Sequence, residues 1–313
     1  VYYLSINIGI IELKISQPHS FSLKKSYFTD ASLLLVAVIW ALNFSIVKTT
    51  LSEIDPLSFN AMRYILASGL LVFAAKQRGF NIRVKKEHFW PLIGLALIGN
   101  LLYQMFFIIG INFTHSANAA VMLGTIPVWV ALLSQLFTDE KLNTYKSIGV
   151  LLAFIGVVLI ITGGPNSLSL ESETFLGNII TLASAFSWAV YTILSRKYLK
   201  EYNTSQFTAF MSVVGAIALI LVGIPSLLKL DWQAISIAGF GGILYSGLLS
   251  VGLAYLIWNR SVSKIGAVKT AAYQNLVPVL GLLFGVFILG EQLTVQQLSG
   301  SAIVIAGIFF SRF

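Results

Sequence analysis

Ten stretches of about 20 apolar residues, joined by short polar breaks, constrain this chain more than anything else in its sequence. Each is long enough to cross the hydrocarbon core of a bilayer as a helix, which takes roughly 20 residues. They run over 30–50, 57–75, 90–111, 115–137, 144–163, 175–195, 205–228, 235–258, 265–289 and 294–312. The breaks carry the turn-forming and charged residues, as in "SEIDP" at 52–56 and "KQRGFNIRVKKEH" at 76–88. The boundary near Asn112 to His115 is nearly uncharged and the least marked. Only 10% of the 313 residues are charged, where a soluble domain carries about 25%. So few charges cannot solvate a globule, and lipid is the natural solvent for most of the surface. The expected fold class is an all-α membrane protein with ten transmembrane helices.

The net charge of +8 raises nucleic acid as a partner, and the distribution of the charge removes it. With the N-terminus placed inside, sixteen of the twenty Lys and Arg residues fall in inside segments and Lys229 alone in an outside loop. That bias is the positive-inside pattern. It puts both termini in the cytoplasm of a multi-pass protein of the cell (plasma or inner) membrane and reads the sixteen as solvated loop charges. Lys48 lies near the outer end of the first helix as an interfacial anchor, while Arg63 and Lys269 lie within helices. Residues 1–28 read as a cytoplasmic tail. Its opening "VYYLSINIGIIELKI" is too short to span and lacks a basic leader; the working start is expected near Leu23-Lys24-Lys25.

The second half repeats the first. Pro127, Glu140, Gly149 and Gly156 align with Pro278, Glu291, Gly300 and Gly307, each pair 151 residues apart, and "WALNFSIVK" (40–48) aligns with "WAVYTILSR" (188–196). Two five-helix units, 29–163 and 175–312, follow. Because five is odd, they enter the membrane from opposite sides, the inverted repeat common among secondary transporters.

The chain resembles the EamA-type family of the drug/metabolite transporter superfamily. The residues that carry the likeness are "WALNFSIVK", "PLSFNAMRYILA", "THSANAAVMLGTIPVW", "SAFSWAVYTILSRK" and "GAVKTAAYQNLVPVLGLLFGVFILGEQL". Their order, spacing and duplication cover about residues 29–312. The resemblance implies a ten-helix carrier of small metabolites, often outward, without naming the cargo.

Ionisable and polar groups at membrane depth are the functional suspects. Arg63 and Lys269 either face a cavity and neutralise an anionic substrate group or snorkel to the interface. Asn100, Tyr103 and Gln104 share one helical face, which lipid would penalise. Pro127 and Pro278 each free the carbonyl four residues back, those of Leu123 and Gln274. Beside Pro278 lie Tyr273, Gln274 and Asn275, a polar cluster expected to border a site; the break at Pro127 reads as a packing kink. Asn43, Trp188, Tyr191 and Tyr255 complete the substrate-binding candidates, although Trp40 and Trp188 also suit core packing. Trp90, Trp129, Trp232 and Trp258 suit aromatic belts. Gly281 and Gly285 form a GxxxG step, and Gly242, Ser246 and Ser250 recur every four residues, both expected to serve close helix packing. Glu140 and Glu291 are expected to cap the helices that follow them.

None of the twelve acids lies in the middle of a helix, so carboxylate-based proton coupling is not expected. The chain has no cysteine, and its three histidines sit in loops or at helix ends. It lacks a GxxxxGK[ST] loop. No catalytic group, metal site or cofactor is therefore expected. The expected partners are a small-molecule substrate and the lipid bilayer, with the oligomeric state open. The leading reading is a secondary transporter, an exporter of small metabolites such as amino acids or drugs, working by alternating access at a midplane site. The alternative is a channel or a non-transporting assembly or sensor protein.

Overall fold

The computed structural model describes residues 19–114, 116–139, 142–163, 172–289 and 293–311, and no strand occurs among them. The elements are α1 (His19–Thr50), α2 (Pro56–Gln77), α3 (Lys86–Asn112), α4 (Ser116–Gly124), α5 (Ile126–Phe137), α6 (Thr144–Thr162), α7 (Ser172–Tyr198), α8 (Thr204–Leu227), α9 (Ile237–Ile265), α10 (Ala267–Ala272), α11 (Leu276–Leu289) and α12 (Val295–Phe310). Eight stretches of these helices are long and apolar enough to cross a membrane, and α12 is a shorter apolar helix. Outward-facing positions stay apolar: Leu136, Leu221 and Leu228 are all exposed. Large apolar side chains exposed on helices of this length suit lipid as the surrounding solvent. Helices suit that solvent because they satisfy their backbone groups internally.

The polar breaks act as caps. Asp55 accepts bonds from the amides of Leu57 and Ser58, both at 3.1 Å, with Pro56 pre-set at the first helical position. Asn143 caps α6 and Thr294 caps α12, the latter in a reciprocal box with Gln297. Glu140 and Glu291, the expected caps, lie outside the described residues, as do residues 1–18 and His115. Helix α1 begins at His19, inside the segment read as a tail, because no Gly or Pro interrupts residues 19–29. Gly266 sits at φ 89°, a conformation costly for any residue with a Cβ, and turns α9 directly into α10.

Two helices carry π-helical turns, Leu97–Leu102 in α3 and Tyr245–Leu253 in α9. A π turn leaves carbonyls free for other donors and often marks a functional position. Here the Trp40 indole N–H donates to the Ser250 carbonyl at 3.1 Å. Two further interruptions lie near the prolines. The chain breaks at Thr125 between α4 and α5, and a 3₁₀ turn at Tyr273–Asn275 separates α10 from α11.

The contact between α6 and α12 is made by glycines in a reciprocal pattern. A Cβ on Gly149 would lie 2.6 Å from the Gly307 carbonyl oxygen, and one on Gly307 would lie 2.6 Å from that of Gly149. The same holds for Gly156 and Gly300, at 2.7 and 2.8 Å. Gly281 does not serve this purpose: a Cβ there meets nothing within 4 Å, because Gly281 faces open space. The Gly242-Ser246-Ser250 stripe does face neighbours, with Gly242 against Thr50 and Ser246 against Arg63.

Gly156→Val or Gly300→Val should therefore drive a side chain into facing backbone. Overpacking costs about 1–3 kcal/mol and more where backbone is the obstacle. Thermal unfolding in detergent should show a clear drop in midpoint for either, whereas Gly69→Ala and Gly241→Ala, with nothing within 4 Å, should unfold close to the parent.

Candidate functional site

A cavity of about 270 Å³ lies among α1, α2, α3, α4, α9 and α11. Its walls include Trp40, Asn43, Phe44, Arg63, Tyr103, Gln104, Phe107, Leu123, Gly124, Ser250, Tyr255, Gln274, Val277 and Pro278. Both proline-linked breaks border it, the first through Leu123 and Gly124 of α4, the second through Gln274 of the 3₁₀ turn and Pro278 of α11. The interruption near Pro127, expected as a packing kink, is thus part of the wall. Its volume is near the lower end of ligand pockets, roughly 300–1,000 Å³.

Arg63 is the charged residue of this wall and is only 1% exposed. Its place follows from α2, whose Asn60, Arg63, Tyr64, Ala67 and Leu71 are all buried on one stripe. The Arg63 Nη2 group donates to Gln104 Oε1, and Nη1 donates to Ser246 Oγ at 3.1 Å. Its guanidinium carbon lies 5.0 Å from the centre of the Phe59 ring. Arg63 Nε has no hydrogen-bond partner, and Arg63 makes no ion pair among the described residues. A guanidinium away from water with only neutral partners is held at a cost, which a ligand anion would offset.

The network runs on from Gln104. Its Nε2 group donates to Tyr255 Oη at 2.7 Å and to Tyr64 Oη at 3.1 Å, and Tyr64 donates to Asn100 Oδ1 at 3.2 Å. Asn100 Nδ2 in turn reaches the Met211 carbonyl on α8 at 3.3 Å. One chain of dipoles therefore ties α2, α3, α8 and α9 around the arginine. The side-chain oxygens of Asn43 and Gln274, both on the cavity wall, have no hydrogen-bond partner.

Aromatic rings form the rest. Trp188 lies 4.8 Å from Tyr103, 4.8 Å from Tyr255, 5.7 Å from Trp258 and 6.2 Å from Trp40, centre to centre. Trp258, expected in an aromatic belt, is instead 1% exposed and donates to Thr192 Oγ1 at 3.3 Å. Trp90 and Trp232 are exposed.

Of the twelve residues singled out from sequence, the structure brings Asn43, Arg63, Tyr103, Gln104, Tyr255 and Gln274 to this cavity. Asn100 does not line the cavity, but it meets Gln104 at a shared partner, the Tyr64 hydroxyl, and reaches α8 at the Met211 carbonyl. Trp188 stands behind the wall against the rings of Tyr103 and Tyr255, and Tyr191 bonds Asn259. Asn275 is buried off the cavity, and neither polar atom of its side chain has a partner. Lys269 and Tyr273 line a separate cleft of about 580 Å³ with Asp30, Lys146, Arg196, Lys200 and Lys264, and Tyr273 donates to Asp30 Oδ1 at 2.8 Å. Four cations read as solvated loop charges thus converge on one cleft. Sequence reasoning missed Tyr64 and Ser246 as partners of the site. The buried stripe of α2 was the available signal for Tyr64.

The model of the EamA-like transporter family matches residues 28–162 and 175–313. An uncharacterized transporter of Archaeoglobus fulgidus is 30% identical over 287 residues, 90% of this chain and 96% of the relative. The uncharacterized transporter YyaM of Bacillus subtilis is 29% identical over 270 residues, covering 85% and 87%. A protein of Salmonella typhimurium named "Probable amino-acid metabolite efflux pump" is 28% identical over 291 residues, covering 90% and 93%. A crystal structure at 17% identity shares the fold with a TM-score of 0.77, over 91% of this chain and 96% of the other.

Gln104→Leu should strand the Arg63 guanidinium and remove two donors at once. Leaving buried polar groups unpaired costs about 1–3 kcal/mol, more for charged ones. The unfolding midpoint in detergent, read by tryptophan fluorescence, should fall well below that of Tyr255→Phe, which removes one acceptor. Equal midpoints would mean that Gln104 does not hold the arginine.

Proposed function

The chain belongs to the EamA-like transporter family, and from that premise we propose that it exports small metabolites bearing a negative group, amino acids first among them. The observation that carries this reading is Arg63: a buried cation on a cavity wall with neutral partners and an unbonded Nε. A substrate carboxylate is the natural counter-charge. Tyr103, Tyr255 and Trp40 offer faces that suit an ammonium or an aromatic side chain. The amino-acid class also draws on the names of the Salmonella relative and a similar one from Escherichia coli.

The carrier works by alternating access between two inverted five-helix repeats, ten helices in all. Contacts of the kind a two-fold axis generates support this. Residues 151 apart meet at Gln104 and Tyr255, and the repeat partners Trp40 and Trp188 touch. Gly149 meets Gly307 while its counterpart Gly300 meets Gly156, the reciprocity of a self-complementary interface. The π turns of α3 and α9 overlap when shifted by the same 151 residues. Helix breaks at the cavity fit the way such carriers build a midplane site. Both termini lie in the cytoplasm of the cell membrane.

Counterflow into liposomes holding only the purified protein tests the reading. Vesicles loaded with unlabelled amino acids should accumulate a labelled subset. Arg63→Gln should reduce that uptake at least tenfold, and a pH gradient should leave it unchanged, since no carboxylate is among the described residues that line the cavity. A folded protein that moves no amino acid removes the substrate class. Flux of small ions without saturation would favour a channel, and no flux of any solute a non-transporting role. The cysteine-free chain also permits a clean orientation test: Lys229→Cys should react with an impermeant maleimide on intact cells, and Lys197→Cys only after permeabilisation.

A further inference from the structure

A second concavity, about 900 Å³, opens on the outside of the bundle between α3, α5 and α7. Its walls are apolar: Leu95 and Ile98 from α3, Leu136 and Phe137 from α5, and Leu194 from α7. Leu136 and Phe137 are 75% and 64% exposed, an arrangement suited to hydrocarbon. One end is basic. Arg196, Lys197 and Lys200 rim it at the C-terminal end of α7, where a helix leaves carbonyls and partial negative charge that favour cations. Among the described residues of the rim, Asp139 is the acid. Lys197 Nζ stands 5.6 Å from the centre of the Tyr198 ring. The floor is opened by Gly94, where an added Cβ would meet nothing within 4 Å.

We propose that this groove is a binding site for an anionic phospholipid, with an acyl chain along α3, α5 and α7 and the phosphate against Arg196, Lys197 and Lys200. Charge complementarity chooses the occupant. Apolar walls alone would take any lipid, and a basic rim alone would take any soluble anion. Three cations closing one end of an apolar groove select a molecule with both parts, as basic pockets between membrane helices do for acidic headgroups. The site is separate from the central cavity and depends on the proposed orientation only for the leaflet, the cytoplasmic one. Arg196 and Lys200 also line the neighbouring basic cleft, which places the headgroup beside that cleft.

The test is competitive lipid retention by the purified full chain, read by native mass spectrometry after exposure to equal phosphatidylglycerol and phosphatidylcholine. The parent should retain phosphatidylglycerol about tenfold over phosphatidylcholine, and excess glycerol phosphate should not displace it. The triple variant Arg196→Gln/Lys197→Gln/Lys200→Gln should lose the preference. Gly94→Leu keeps every charge, places its Cβ where nothing lies within 4 Å, occupies groove space, and should lose retention too. Equal retention of the two lipids by the parent overturns the proposal, whatever the variants do. So does displacement by glycerol phosphate, or undiminished retention in Gly94→Leu, either of which would mean a headgroup site without a seat for the chain. No transport is measured, so failure of the export reading leaves this result standing.

Discussion

The hydrogen bonds that hold the Arg63 guanidinium organise the middle of this protein. A cation withdrawn from water needs either an opposite charge or well-aimed dipoles, and the described residues around Arg63 supply dipoles. Gln104 gives its carbonyl to the arginine and its amide to two tyrosines, so a single side chain joins charge to aromatic wall. Ser246 is small enough to let α9 come close and polar enough to accept a bond. A methyl in its place would leave Nη1 of the guanidinium without that acceptor. An arginine solvated by neutral groups keeps its full attraction for an anion, which one tied to a carboxylate would not.

Backbone irregularity concentrates around the same place. Two π turns, a break at Thr125 and a 3₁₀ turn at Tyr273–Asn275 all lie in helices that wall the cavity. Lipid would not tolerate the carbonyls freed there. Inside a bundle they become acceptors, as Ser250 does for Trp40. The prolines fall beside these interruptions, and Pro278 itself lines the cavity.

How far the sequence could be read follows from which physics is local. Spans and loop charge come from hydropathy over about 20 residues, and the first eight of the ten expected stretches fall on helices long and apolar enough to cross a membrane, while the last is a shorter apolar helix. Arg63, Gln104 and Tyr255 were visible because polar groups are rare at such depth. Asn100 joins the same network through Tyr64 without reaching the cavity, a distinction that helical spacing does not resolve. Trp258 was misjudged since closeness to a helix end says nothing about whether the neighbouring helices cover it. The convergence of Lys146, Arg196, Lys200 and Lys264 with Lys269 brings together residues far apart in the chain, and no spacing announces that. Gly281 illustrates the ambiguity of glycine: the same absence of a side chain serves either a close contact or a space, and here it is a space.

The glycines of α6 and α12 have a mechanical consequence. Where backbone meets backbone in two matched pairs, flanked by the branched side chains of Ile160 and Val304, little flexible side chain lies between to absorb relative sliding. These two helices are therefore a stiff beam across the interface. The alternating-access carrier proposed above would turn about that beam, and the interrupted, unevenly wound helices that surround Arg63 would carry its amplitude. Rigidity in one place sets the leverage available in another.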